Sequence, residues 1–132
     1  MKRLTVLVFL FFLFVSMSAA SDYRYICSAN GLNYFVDYST VKFESDKIYF
    51  CLLCTDDNCV DVRLKYIVVK PPNHFDILAV SVYYGGKRVA FDFKIKPKFD
   101  EFGKTTIMGQ IWQRLLDDQE FMNSVKKQGY GG

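Results

Sequence analysis

Three of the chain's four cysteines, Cys51, Cys54 and Cys59, fall within the nine residues "CLLCTDDNC", and the fourth is Cys27. Such a cluster suggests zinc binding, thiol redox chemistry or structural disulfides. Zinc needs four ligands converging on one tetrahedral point. Cys51 and Cys54 instead sit in an apolar run, Ile48 to Cys54, that reads as a strand and turns their side chains to opposite faces. A Cys-x-x-Cys oxidoreductase sets its first thiol at a helix N-terminus, where the thiolate is stabilised. No helix signal follows Cys54. An even cysteine count behind an export leader favours disulfides. Strand parity then pairs Cys54 with Cys59 across Thr55–Asn58, and Cys27 with Cys51 on the other face. A thiol-disulfide oxidoreductase using Cys51 and Cys54 is the alternative.

Other candidates carry less chemistry. His74 is the only histidine. With Asp76 it has the makings of a general base, but no nucleophile motif accompanies it, so a loop histidine is the simpler reading. Asp56, Asp57 and Asn58 lack the glycine and distal glutamate of a calcium loop. Asp117 and Asp118 read as helix capping. No metal, cofactor or catalytic residue is expected. Lys87, Arg88, Lys94, Lys96 and Lys98 near Tyr83 and Tyr84 form a basic strip that could dock an acidic partner, or equally a solvated strand face.

These residues are placed by short aromatic and β-branched segments between turns, the pattern of an antiparallel sheet. Six strands are expected: Tyr23–Cys27, Asn33–Val36 continuing past a corner at Asp37 to Phe43, Ile48–Cys54, Val60–Tyr66, Phe75–Tyr84 and Arg88–Lys96. Asn30-Gly31 and Gly85-Gly86 mark two hairpins. Val89, Phe91, Phe93 and Ile95 alternate with charged or small residues along the last strand. After Gly103 the apolar period lengthens to that of a helix, through Ile107, Ile111, Leu115, Phe121, Met122 and Val125, with a break near Asp117. Most of the stripe reads as core, with Trp112 the residue one sheet face need not cover. The fold class is α+β, a twisted antiparallel sheet with a C-terminal amphipathic helix on one face.

Residues 1–20 read as a secretory signal peptide: Lys2-Arg3, the apolar Leu4–Val15, then small residues to Ala20. The remainder divides into one domain, 21–127, and a flexible tail, 128–132. Net charge is only +3, two basic residues lie in the leader, and nucleic acid is therefore a poor partner. With the leader removed no span crosses a membrane, so the protein is expected to be periplasmic, surface-exposed or secreted.

Two segments carry a family likeness. Tyr34-Phe35-Val36-Asp37 and Ser39-Thr40-Val41, within "YICSANGLNYFVDYSTVKFESDKIYF", resemble the opening of the bacterial surface-adhesin protein E family. Pro97, Ile107, Gly109, Ile111 and Trp112, within "KIKPKFDEFGKTTIMGQIWQRLL", resemble its ending. The resemblance implies a small exported bacterial domain without catalysis, an antiparallel sheet with a C-terminal helix, binding to host matrix and plasma proteins, and homodimers. Ser21 stands where lipid-anchored relatives would carry cysteine. None of the family's binding residues falls on a motif in this chain. The function expected is thus a non-enzymatic, adhesin-like binding domain, with an envelope structural or housekeeping role as the alternative.

Overall fold

A computed structural model describes residues 21–131; residues 1–20, expected to be a signal peptide, lie outside the described residues. Six strands follow one another as an antiparallel meander: β1 (Tyr23–Ala29), β2 (Leu32–Glu44), β3 (Lys47–Thr55), β4 (Asp61–Lys70), β5 (His74–Tyr84) and β6 (Lys87–Phe93). A two-residue β7 (Asp100–Glu101) pairs with the start of β5. Two helices close the chain, α1 (Ile107–Asp117) and α2 (Gln119–Lys127). The fold is α+β, an open sheet with helices on one face.

Turn chemistry accounts for the hairpins. Asn30-Gly31, Ser45-Asp46 and Gly85-Gly86 all have positive φ, the left-handed geometry of two-residue turns that suit the twist of paired strands. The corner expected at Asp37 is a break in the register of one long strand: β2 and β3 pair from Asn33 to Asp37 and again from Lys42. Asp37 shapes it, its Oδ1 accepting the Ser39 amide at 3.0 Å, the Ser39 hydroxyl at 2.6 Å and the Asp22 amide at 2.8 Å. Pro71-Pro72, a cis peptide, lies between β4 and β5.

The helices lie over β1 and β2. From the sheet Val36, Ile48, Phe50, Leu52, Ile67 and Val69 meet Ile111, Leu115, Phe121 and Val125 from the helices, all buried. Phe121 packs edge-on against Phe50 and Trp112, with centroids 6.2 and 6.1 Å away, geometry aromatic pairs prefer. Trp112 is itself buried, and the half-buried Ile107 and Met122 pack against the same core, so the stripe faces the sheet. Thr106 caps α1 by accepting the Gly109 amide, and Asp118 caps α2 by accepting the Glu120 amide. The last residues are docked on the sheet: the Gln128 side chain bonds the backbone of Val41 and Phe43, and Tyr130 packs on Phe43.

Candidate functional site

The cysteine pairing expected from parity does not form. No disulfide joins Cys27, Cys51, Cys54 or Cys59. A register shift between Tyr25 and Cys27 turns both Ile26 and Cys27 toward the helices, whereas Cys51 points to the opposite face. Without that bulge Cys27 would share the face of Tyr23, Tyr25 and Cys51. Cys54 likewise faces the helices and is matched across the ladder by Arg63, while Cys59 belongs to a small cluster on the far face with Leu53, Val62 and Tyr83. The β3–β4 connection is longer than the hairpin expected, and Cys59 sits in it with φ 55°. Cys27 and Cys54 do share a face, but Tyr34 stands between them on β2. Two strand spacings, about 9.5 Å, exceed the Cα separation a disulfide bridges.

Nor do Cys51 and Cys54 form a redox pair. They occupy opposite faces of β3, and burial pushes both thiols up, Cys54 to about 11. Dithiol exchange needs the reverse, an exposed thiol with a lowered pKa. Among the described residues no three His, Cys, Asp or Glu side chains are grouped to hold a metal. Asp56 and Asp57 serve the turn, accepting the Val60 amide and the Asn33 side chain at 2.8 Å each. His74, expected in a loop, instead opens β5 and pairs with Lys70 and Glu101 in the sheet, and Asp76, the partner a general base would need, is engaged elsewhere.

That engagement redraws the basic strip. Asp76 is buried, and Lys94 Nζ lies 2.7 Å from its Oδ1 while the Lys98 amide meets Oδ2 at 2.8 Å. Burial disfavours the charged carboxylate, but Lys94 and the Lys98 and Ile77 amides outweigh it and hold Asp76 below its usual range. Lys94 is therefore a structural countercharge. Tyr83 is buried, and the Arg88 guanidinium lies 4.9 Å from the centre of the Phe91 ring. Lys87, Lys96 and Tyr84 remain exposed.

The sheet's other face holds what the alternation alone does not reveal. Register aligns Tyr23, Asp37, Cys51, Tyr66, Ala79 and Phe93 in one cross-strand row, and Tyr25, Phe35, Leu53, Leu64, Ser81 and Phe91 in the next. Among the described residues no helix covers these rows. Every residue of β6 is exposed, as is the following stretch to Lys98. Phe91, Phe93 and Ile95 are 51, 61 and 93% exposed, where burial would be the ordinary fate of such a stripe. Among the described residues β6 pairs only with β5, which leaves its outer backbone edge open.

Nearer the middle of the same face is a cleft of about 270 Å³. Tyr23, Leu64, Tyr66 and Ala79 wall it, and Asp37, Thr40 and Cys51 contribute the polar groups. Thr40 Oγ1 accepts the Cys51 amide at 2.9 Å. Burial, then the Asp37 carboxylate, pushes the Tyr23 hydroxyl well above the usual tyrosine range. The tyrosines, the aspartate and the cysteine come from four strands, so only the register unites them.

No protein-family model, no curated protein and no solved structure matches this chain. The class is set by architecture alone: an α+β meander with one covered and one open sheet face.

Proposed function

We propose that this chain is a non-enzymatic, exported, adhesin-like binding domain that takes an acidic protein surface on the open face and outer edge of β6. The observation that supports this is the exposed row of Phe91, Phe93 and Ile95 on a strand with no neighbour beyond it among the described residues. An apolar patch of this kind is where monomeric proteins meet partners. Lys87, Arg88, Lys96 and Lys98 flank it along the chain, with Asp92 the one acidic residue between them, and Arg88 lies over the Phe91 ring. Charge complementarity would steer an acidic partner, and the apolar centre would supply the affinity. The unpaired edge can also accept a strand from the partner. Export rests on the leader pattern of residues 1–20, and the likeness to surface-adhesin protein E points the same way.

The test uses residues 21–132 immobilised against a panel of host matrix proteins and envelope glycans. Capture of an acidic matrix protein by the wild type, lost in a Phe91→Ser/Phe93→Ser variant whose melting curve is unchanged, is the expected result. Binding that survives both substitutions would remove the β6 reading. Binding to cell-wall components alone would favour the envelope structural role.

A further inference from the structure

We propose that the cleft on the open face is an ammonium-binding site, with the Asp37 carboxylate as its anionic floor and Tyr23 and Tyr66 as its aromatic walls. Asp37 is 3% exposed and makes no ion pair among the described residues. A buried carboxylate is costly without a countercharge. The three hydrogen bonds it accepts all fall on Oδ1, leaving Oδ2 for a ligand. The groups whose charge acts on the neighbouring Tyr23 and Cys51 are carboxylate, phenol and thiol; Tyr66 also feels the Lys42 ammonium, which is itself paired with Glu44. Lys65 borders the cleft, but its ladder partner Leu52 belongs to the helix-side core, so alternation carries its ammonium away.

Phenol rings beside a desolvated carboxylate attract an organic cation through both the ring quadrupole and the charge. Space is sufficient: a cavity of about 150 Å³ holds benzene, and this cleft is larger. The site is separate from β6 and does not depend on the partner reading.

Two sources can supply the ammonium. One is a small amine with an apolar body. The other is the chain itself, since Ser21 lines the cleft and the adjoining Asp22 amide already binds Asp37. Cleavage after Ala20 would release an α-ammonium at that spot. This second source rests on the leader being removed, which an intact mass of the exported protein reports separately.

The experiment compares a chain beginning at Ser21 with one carrying three extra residues before it. In each, the α-amino pKa is measured by NMR, and benzylamine and benzyl alcohol are titrated while the Cys51, Tyr66 and Ala79 amides are followed. An α-amino pKa at least one unit above its ordinary value of about 8 in the Ser21 form alone identifies the chain's own terminus as the occupant. Benzylamine binding at least tenfold tighter than benzyl alcohol, clearest in the extended form, identifies an external amine. Asp37→Asn should abolish either signal. Because that change also disturbs the corner, Tyr66→Leu serves as the second variant and should weaken benzylamine about fivefold. An ordinary α-amino pKa together with no preference for benzylamine in both forms overturns the site.

Discussion

The Tyr38 hydroxyl, at the corner of β2, donates a 2.5 Å hydrogen bond to Oδ2 of Asp118, the residue between the two helices. The other carboxylate oxygen accepts the Glu120 amide at 2.9 Å, so one side chain caps α2 and ties it to the sheet. The Tyr38 ring also packs edge-on against Phe121 and under the Arg24 guanidinium. Replacing Asp118 by Ala should cost about 2 kcal/mol, combining a lost cap with a lost charge-assisted bond. Tyr38→Phe should cost about 1 kcal/mol. A double-mutant cycle in urea should give less than the sum of the two; strict additivity would mean the bond contributes nothing.

Asp118 and Asp76 set the acid limb of stability. The Tyr38 hydroxyl holds Asp118 below the usual carboxylate range, and Lys94 with two amides does the same for Asp76. Each folded-state value lies below the unfolded one. Their contribution is therefore fully present above the unfolded value, about pH 4, and disappears as pH falls through the folded values. The urea midpoint should be nearly flat from pH 7 to about 5 and then drop. Asp118→Asn should make that drop shallower.

Lys94 and Lys96 are close in sequence and opposite in consequence. Lys94→Ala strips the countercharge from buried Asp76 and should cost about 1–2 kcal/mol, softened by the amides that still bond the carboxylate. Lys96→Ala, at an exposed position, should stay within about 0.5 kcal/mol. Chemical denaturation of the two variants side by side checks this.

Gly109 sits in the first turn of α1, against the chain that leads into it. A Cβ there would run into the Gly103 carbonyl and come within 2.9 Å of the Lys104 Cα, backbone that cannot rotate aside. Gly109→Ala should lower stability by about 2 kcal/mol despite alanine's better helix propensity. A stabilised variant in thermal melts would show that the loop yields.

Non-reducing peptide mapping should find neither a Cys27 to Cys51 nor a Cys54 to Cys59 link, and a reducing agent should leave the melting temperature unchanged. The buried Cys54 thiol, with a pKa of about 11, should alkylate far more slowly at pH 8 in the folded protein than in urea.

Much of the architecture was legible because it is locally encoded. Asn30-Gly31 and Gly85-Gly86 favour tight hairpins through their tolerance of positive φ, the alternation from Val60 to Tyr66 is the pattern of a half-buried strand, and the lengthened period after Gly103 is that of a helix with a break at a capping aspartate. The charged-then-apolar pattern of residues 1–20 and the low net charge are likewise properties of the string of residues. The cysteine pairing failed for a specific reason. One extra residue in β1 flips Cys27 to the other face, and nothing in "YRYICSA" announces it.

The choice of face was settled only by long-range packing. Sequence supplies an apolar stripe on β6 and an apolar stripe on the helices, and simple economy would join them. The meander instead carries β6 to the far end of the sheet while the helices settle over β1 and β2, so Trp112 is buried and Phe93 is bare. The cleft has the same origin, since Tyr23, Asp37, Cys51 and Tyr66 lie on four strands and meet only through register. Periodicity determines which residues share a face of one strand; which faces are covered, and which side chains become neighbours, depends on contacts between elements far apart in the chain.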